Sequence, residues 1–387
     1  MRRTGACHSS QLRAGSLSTV PRPDRASGVP AIVSDQSQSR STVVLVTGSG
    51  RSGTSSLAGS LKRLGLHIPQ PEVPAKPSNQ RGFYEPQWVI DFHKKHLRQL
   101  ALHNIDSRPE ALSMVADLLA DGSIERELAE WLGKQLEEPQ LIIKDPHAYW
   151  FASAWRSAAQ DVGADLRLLT ALRHPAEVVG SRDLAYLQHQ PEALRRAKET
   201  SNVAGWVHSA LLTEKAGRGL SRAFVRYTDL ISDWRVALAR VGQQLDLGFE
   251  NDLSSNGHHP IDDFLSADLR KSQLTWDDLN VPAALRDMAE TVWDLLGIMV
   301  DQPGDERAMQ QMDDIHAAYE EMYEYALATV YDHTHGTMVL EQRKSQAEIA
   351  RLRRALRRQR ERVAELEAQD TRPGKWPSRL IHGRRSR

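Results

Sequence analysis

Residues 42–64 read TVVLVTGSGRSGTSSLAGSLKRL, and their pattern is that of a strand, a tight turn and a helix. The strand is predicted for residues 42–47, because β-branched residues and leucine follow one another there. The turn is rich in glycine from Gly48 to Gly53, and leucines then recur at the spacing of a helix. Such a layout points backbone N–H groups and the positive end of a helix dipole at one place. It therefore predicts a binding site for an anion.

The end of this turn differs from that of a nucleoside-triphosphate loop. Such a loop ends in Gly-Lys-Ser or Gly-Lys-Thr, and its lysine reaches the β- and γ-phosphates. Here the turn ends in Gly53-Thr54-Ser55, so the lysine is missing, and a different cation, Arg51, lies inside the turn. The sequence therefore predicts an anion cradle in which the triphosphate chemistry has been altered.

The composition excludes several classes of protein. The chain has 387 residues, of which 40% are hydrophobic, enough for one large α/β domain with appendages or for two domains. Lysine plus arginine and aspartate plus glutamate number 50 each, so we expect no nucleic-acid partner. The single cysteine, Cys7, excludes structural disulfides and cysteine-rich zinc sites. No apolar run reaches about 18 residues and no signal peptide is recognisable, so we expect a cytoplasmic protein.

Further strands and helices follow the first unit. Short apolar runs predict strands at 140–144, 166–172 and 222–227, and helical patterns lie between them, for example at 110–137 and 192–217. Short apolar strands that alternate with helices predict an α/β fold, with a parallel sheet covered by helices on both faces.

The chain divides into four predicted regions. Residues 1–40 are rich in serine, arginine and proline and are predicted to be disordered. The α/β domain is predicted for 41–305, a helical extension for 306–370, and a basic tail for 371–387. The arginines and lysine of the tail favour weak contact with an anionic membrane surface, which would place the protein peripherally at the inner membrane face.

The helical extension carries a heptad repeat between residues 338 and 369. Its apolar a and d positions are Ile349, Leu352, Leu356, Val363 and Leu366, and Gln359 interrupts them. The repeat predicts a short coiled coil that holds a homodimer or a partner. The alternative is an amphipathic helix that packs on its own domain.

A second motif, LLTALRHPAEVVGSR, occupies residues 168–182. It places Arg173 at the carboxyl end of a predicted strand, while Pro175 suits the first turn of a helix that then carries Ser181. In parallel α/β sheets, ligands bind outside the carboxyl ends of the strands. We therefore expect Arg173 and Ser181 to converge on one phosphate, the first by charge and the second by its hydroxyl.

The two motifs in this order resemble the sulfotransferases that use 3′-phosphoadenosine 5′-phosphosulfate (PAPS). The resemblance implies a three-layer, P-loop-like fold and PAPS as the sulfate donor, with no metal. It also implies that Arg173 and Ser181 bind the 3′-phosphate of PAPS. The residues that it implies for the 5′-phosphosulfate are Gly50, Arg51, Ser52, Gly53, Thr54 and Ser55.

Four further stretches between residues 79 and 271 extend the resemblance. The sequences Asn79–Glu85, Lys144-Asp145-Pro146 and Val225–Leu230 are similar to the bacterial and Golgi branches that act on carbohydrates or tyrosine. These branches imply a carbohydrate or glycolipid hydroxyl as the acceptor. Phe264-Leu265 is followed by Arg270 and Lys271, which resemble the basic loop that closes over the cofactor.

The resemblance implies three catalytic roles, of which one is to hold the 5′-phosphate with the backbone N–H groups of residues 52–55 and the hydroxyls of Ser52, Thr54 and Ser55. Sulfuryl transfer is an in-line displacement at sulfur, so positioning and electrostatic stabilisation should dominate. A cation must lie at the bridging oxygen, and we expect Arg51 there, with Lys144 as the second choice. A general base must reach the acceptor hydroxyl. Glu85 is favoured because it matches an acidic position of the family, and Glu72 and His147 are the alternatives.

Two other functions are compatible with the sequence. A P-loop kinase or nucleotide hydrolase would explain the turn, although the lysine is missing. A non-catalytic scaffold that binds adenosine 3′,5′-bisphosphate (PAP) would explain the heptad and the basic tail. For an enzyme, the segments 66–110 and 183–205 are expected to form the walls of the acceptor pocket. They contain Phe83, Tyr84, Trp88, His93, His96, Tyr186 and His189, and Trp150, Phe151, Trp155 and Trp206 add aromatic surface. The alternative is that most of these residues belong to the core.

Overall fold

The computed structural model describes residues 40–76, 79, 81–187, 189–255, 257–266 and 273–370. Three predictions fall outside these residues: the disordered segment before Arg40, the basic tail 371–387, and the pair of basic residues Arg270 and Lys271.

A parallel sheet of four strands forms the centre of the fold. The strands are β1 (Thr42–Thr47), β2 (Gln140–Lys144), β3 (Asp165–Leu172) and β4 (Ser221–Arg226), and they lie in the order β2-β1-β3-β4. Thr42 pairs with both Gln140 and Asp165, so β1 and its two neighbours start level and bring their carboxyl ends to the same edge. The four predicted strands and their parallel arrangement are thereby confirmed.

Helices cover both faces of the sheet. The thirteen α-helices in the described part of the chain are α1 (Thr54–Arg63), α2 (Gln87–Gln99), α3 (Ala111–Leu119), α4 (Ser123–Gly133), α5 (Ala152–Asp161), α6 (Pro175–Arg182), α7 (Glu192–Ala216), α8 (Tyr227–Ser232), α9 (Trp234–Gln244), α10 (Pro260–Phe264), α11 (Ala283–Asp301), α12 (Glu306–Thr329) and α13 (Tyr331–Asp370). Alternate strand residues point to opposite faces. Val43 and Leu45 belong to the core cluster beneath α2, α4 and α5, whereas Val44 and Val46 belong to the one beneath α1 and α9. The predicted three-layer fold is confirmed.

The helical pattern predicted over 110–137 is two helices rather than one. The chain turns between α3 and α4 at Gly122, whose φ of 67° is left-handed and therefore suits glycine. The Asp121 carboxylate accepts a hydrogen bond from the backbone N–H of Ser123 at 2.8 Å, which holds the turn. A turn of this kind interrupts the helix without disturbing its apolar spacing.

The last two helices differ in their contacts. Helix α12 packs on α7 and α11, where Met312 and Tyr319 are buried and the Tyr319 hydroxyl donates a hydrogen bond of 2.5 Å to the Ser107 carbonyl. Helix α13 runs for 40 residues, and its apolar heptad side chains Ile349 and Leu352 remain about half exposed. The predicted helical extension is therefore present, while its coiled coil stays a prediction.

Within the described ranges, every helix is either too short or too polar to cross a membrane.

Candidate active site

The glycine-rich turn after β1 is held in one conformation by its neighbours. Gly53 has a φ of 87°, and a Cβ atom added there would lie 2.3 Å from the ring of Tyr227, so no larger residue fits. The backbone N–H of Ser52 donates to the Ser49 carbonyl at 3.1 Å, and the hydroxyls of these two serines share a hydrogen bond of 2.5 Å. The turn thus leads directly into the first turn of α1, where N–H groups are available for an anion.

Arg51 has an unusual backbone conformation. Its φ is 80°, a left-handed value that costs a non-glycine residue about 1–2 kcal/mol. Strain of this kind persists where the surrounding structure fixes the residue, and it is found at ligand sites. The conformation lets the Arg51 side chain cross to α6, where its Nε donates a hydrogen bond of 3.0 Å to the Ser181 hydroxyl.

Arg173 completes a cluster with Arg51 and Ser181. It follows β3 directly, it is only 5% exposed, and its Nη1 donates to the carbonyl oxygen of Arg51 at 3.1 Å. Its Nε donates to Glu177 one turn along α6 at 2.9 Å, and its guanidinium lies 5.0 Å from the centre of the Tyr227 ring. The structure therefore brings together the two motifs that are far apart in the sequence.

A second cluster lies at the carboxyl end of β2. Lys144 is 2% exposed, and its ammonium donates to the Glu85 carboxylate, to the Phe83 carbonyl at 3.2 Å and to the Ser55 hydroxyl at 3.3 Å. Burial raises the pKa of Glu85, and the positive charge of Lys144 opposes that rise only in part. The predicted catalytic residues Lys144 and Glu85 are thus in contact with each other, and Lys144 also contacts Ser55 in the first turn of α1.

The neighbouring Asp145 joins two histidines. Its carboxylate accepts hydrogen bonds from His93 Nδ1 at 2.7 Å and from His147 Nδ1 at 2.8 Å. Burial alone would raise the pKa of Asp145, but the charges and hydrogen bonds of His147 and His93 hold it well below its ordinary value. His147 itself is partly exposed, beside the Lys144–Glu85 pair.

Two residues near the glycine-rich turn, Arg182 and Asn104, were not predicted. Arg182 follows Ser181, and its Nη1 would lie 3.8 Å from a Cβ atom added at Gly50, while the Asn104 amide would lie 2.6 Å from the same point. Arg182 donates to the amide oxygens of Asn202 at 3.2 Å and Asn104 at 3.5 Å. Burial lowers the pKa of Arg182, and among the described residues no carboxylate lies within 4.0 Å of its guanidinium. Its position directly after Ser181 was the only signal in the sequence.

Other expected residues lie elsewhere. The Glu72 carboxylate pairs with Lys62 near the end of α1 that is remote from the turn, so it is poorly placed to act as a base there. Most of the aromatic residues considered for the acceptor pocket are core residues, as the alternative interpretation held. Trp88 stacks on Trp131 with 4.6 Å between ring centres, and Trp155 is fully buried. Tyr186 is 64% exposed and is an exception.

Two further features bear on the ligand. A small cavity of about 20 Å³ lies behind the turn, between β3 and α7, and it could hold one water molecule but no nucleoside. In the described part of the chain, no group of three or more His, Cys, Asp or Glu side chains is placed to hold a metal ion. The space for a larger ligand is therefore outside the carboxyl ends of the strands.

No protein-family model matches the sequence, and no curated protein matches it. Among solved structures, the sulfotransferase domain from the Synechococcus PCC 7002 olefin synthase is 17% identical, with a TM-score of 0.40 over 67% of this chain and 96% of that chain. The sulfotransferase domain from the curacin biosynthetic pathway is 16% identical, with a TM-score of 0.38 over 66% of this chain and 98% of that chain. At these TM-scores the likeness does not establish an activity.

Proposed function

We propose that this protein is a sulfotransferase that uses PAPS. The observation that carries the proposal is the meeting of Arg51, Arg173 and Ser181 at the glycine-rich turn, through hydrogen bonds of 3.0 and 3.1 Å. Two arginines and a hydroxyl beside a row of backbone N–H groups form a site for a ligand with two separate anionic groups. PAPS has such groups in its 3′-phosphate and its 5′-phosphosulfate.

The residues divide between these two groups. Arg173 and Ser181 would bind the 3′-phosphate, because they lie beyond β3 on the far side of Arg51 from β2. The N–H groups and hydroxyls of residues 50–55 would bind the 5′-phosphosulfate. Arg51 and Lys144 would face the sulfuryl group and its bridging oxygen from opposite sides. Arg182 adds a partly buried cation beside Gly50, which an anionic ligand would balance.

The position of Lys144 argues against a kinase or a nucleotide hydrolase. In a triphosphate loop, the residue equivalent to Ser55 binds Mg²⁺ through its hydroxyl. Here the Lys144 ammonium donates to that hydroxyl at 3.3 Å and is itself paired with Glu85. A buried ammonium therefore takes the place in which a triphosphate loop would hold its metal.

For the transfer step, we propose that Arg51 and Lys144 stabilise the charge that develops on the bridging oxygen. We propose Glu85 or His147 as the general base, since Glu85 pairs with Lys144 and His147 lies near Glu85. A raised pKa would make Glu85 a stronger base, whereas its pairing with Lys144 reduces its freedom to take a proton. His147 is the more exposed of the two.

We propose a hydroxyl of a carbohydrate or a glycolipid as the acceptor. This choice rests on the resemblance of the sequence motifs, since most of the aromatic residues expected around the acceptor belong to the core. We also place the reaction in the cytoplasm, with the basic tail 371–387 in contact with the inner membrane face, on the composition alone.

Calorimetric titration of the purified protein tests the proposed function. PAP should bind with a dissociation constant in the micromolar range or below, and ATP with Mg²⁺ should bind at least about tenfold more weakly. The reasons are that the Lys144 ammonium lies at the Ser55 hydroxyl and that ATP has no 3′-phosphate for Arg173 and Ser181 to bind. Tighter binding of ATP with Mg²⁺ would favour the kinase. Tight binding of PAP without transfer of ³⁵S-sulfate from PAPS to any of a panel of glycans and glycolipids would favour the scaffold.

We also propose that α13 joins two copies of this chain in a parallel coiled coil. With Ile349 at an a position and Leu352 at a d position, Glu348 falls at g and Arg353 at e. Two heptads later, Arg362 falls at g and Glu367 at e. In a parallel dimer each g residue lies opposite the e residue of the following heptad in the partner. Both of these pairs would then join opposite charges.

Sedimentation velocity should show a dimer for the intact protein. Leu352→Asp should give a monomer, because it places a charge at an apolar d position, whereas Arg354→Ala on the outer face should remain dimeric. Glu348→Lys should weaken the dimer, and Arg353→Glu in the same chain should restore it only if the helices are parallel. A monomeric intact protein at micromolar concentration would contradict the proposal.

A further inference from the structure

A chain of buried polar side chains runs from α5 through α2 to the end of β2. Trp155 on α5 donates its indole N–H to His93 Nε2 at 3.1 Å. His93 on α2 donates from Nδ1 to one carboxylate oxygen of Asp145 at 2.7 Å. The other oxygen of Asp145 accepts from the backbone N–H of His147 at 3.0 Å and from its ring Nδ1 at 2.8 Å. Only His147, at the end of this chain, reaches solvent.

The hydrogen bonds fix the tautomer of each ring. An indole N–H can only donate, so His93 Nε2 must accept and His93 must carry its proton on Nδ1. A carboxylate can only accept, so His147 also carries a proton on Nδ1. In the neutral form of His147, the Nε2 atom then has a lone pair. Phe151 stacks on His93 with 4.6 Å between ring centres and 1° between their planes, which holds the first ring in place.

The charges of these hydrogen-bonded side chains also favour His147 as the proton acceptor. Asp145 is completely buried, and a buried anion needs a cation or several hydrogen bonds to be stable. His93 cannot become that cation, because both of its nitrogens are engaged and burial lowers its pKa. Burial by itself would lower the pKa of His147 too, but the Asp145 carboxylate outweighs this effect and raises it. The other charged groups that act on His147 are Lys94, which lowers its pKa, and Glu85, which raises it.

We propose that Trp155, His93 and Asp145 are positioning residues that prepare His147 to take the proton of the acceptor hydroxyl. This inference rests on the proposed function and selects His147 over Glu85 as the base. In the step, the acceptor oxygen forms a bond to sulfur and its proton moves to His147 Nε2. The bond between sulfur and the bridging oxygen breaks, and its electron pair stays on the 5′-phosphate of PAP. Asp145 then balances the charge of the imidazolium.

Long-range ¹H–¹⁵N spectra of protein with labelled histidine test this hydrogen-bonded chain of side chains without any cofactor. We expect His93 to keep its Nδ1 proton across pH 5–9. Asp145→Asn should lower the titration midpoint of His147 by about one pH unit or more, because the nearby negative charge is lost. Asp91→Asn removes an exposed carboxylate from α2 and should leave the midpoint unchanged. An unchanged midpoint in Asp145→Asn would overturn the proposal.

Trp155→Phe keeps a ring at the far end of the chain and removes only the indole donor, so it serves if Asp145→Asn does not fold. We expect His93 to keep its Nδ1 proton, because the Asp145 carboxylate still accepts it, but to gain the ability to take a second proton at Nε2. The titration midpoint of His93 should therefore rise, and an unchanged midpoint would overturn the role of Trp155.

Kinetics with PAPS then test the role in transfer. Asp145→Asn should lower kcat by about 10- to 100-fold with little change in the KM for PAPS, and should move the acidic limb of the pH–rate profile together with the titration midpoint. A shift in the titration midpoint of His147 without a matching shift in the pH–rate profile would overturn the role of His147 as the base. If the spectra behave as expected but the unmodified protein transfers no sulfate, the proposed function fails while the hydrogen-bonded chain stands.

Discussion

Arg173→Ala is expected to weaken the binding of PAP by about 10- to 100-fold, because a hydrogen bond to a charged group contributes about 1.5–3 kcal/mol. The same change should alter the binding of adenosine 5′-phosphate by less than about threefold, since that nucleotide has no 3′-phosphate. The expectation follows from the position of Arg173 beyond β3, where its Nη1 contacts the carbonyl oxygen of Arg51. Calorimetric titration with the two nucleotides measures the difference directly.

The control for this experiment concerns Glu177. Removing the Arg173 guanidinium takes away a donor that bonds to the buried Glu177 carboxylate at 2.9 Å, which could disturb α6 for reasons unrelated to the ligand. The double variant Arg173→Ala with Glu177→Gln relieves that charge and should show the same selective loss of PAP binding. Equal weakening for both nucleotides would reject the assignment of Arg173 to the 3′-phosphate.

Lys144→Met is expected to destabilise the protein by about 3–5 kcal/mol, because it removes one partner of a buried ion pair. Glu85 is 8% exposed and would keep its carboxyl group in the protein interior. Adding Glu85→Gln to Lys144→Met should restore much of the stability. Unfolding in urea, followed by circular dichroism, gives the free energy of unfolding of each variant.

The cost of Lys144→Met should also depend on pH. Burial raises the pKa of Glu85 above its value in the unfolded chain, and the loss of Lys144 removes the charge that opposes this rise. A carboxyl group with a raised pKa in the folded state contributes stability below its unfolded pKa, about 4.3, and loses it as the pH rises through the folded value. The loss of stability should therefore be larger at pH 8 than at pH 5.

Lys62→Met provides the matched control. Lys62 also pairs with a glutamate, Glu72, but its side chain is 41% exposed, so water screens the pair. We expect a change of less than about 1 kcal/mol and little dependence on pH. A similar cost for the two lysine variants would mean that Lys144 and Glu85 are not the buried pair described above.

The parts of the site that the sequence predicts are those with a local pattern. The β-branched run at 42–47 and the glycines after it suffice to predict a strand and an anion-binding turn. Arg173 and Ser181 were predictable because a strand end and a short helix with Pro175 fix their separation. In each case the residues that matter lie within one or two turns of each other along the chain.

The parts that were missed depend on contacts between distant segments. Asn104 reaches the turn at Gly50 from the loop after α2, and no periodicity in the sequence records that contact. The aromatic residues around Trp88 and Trp155 could not be assigned to an acceptor pocket or to the core, because an apolar ring looks the same in a sequence in either place. The buried contact between His93 and Asp145 was missed for the same reason, since it joins a helix to a strand end.

The strand order β2-β1-β3-β4 separates two tasks on either side of the first strand. Recognition of the nucleotide would depend on Arg173 and Ser181, next to β3, whereas chemistry on the acceptor would depend on Lys144 and His147, next to β2. Mutations that reshape α2 and the segment before it could then change the acceptor without reducing the affinity for the nucleotide donor. Under the proposed function, such an arrangement would let acceptor choice change independently of donor choice.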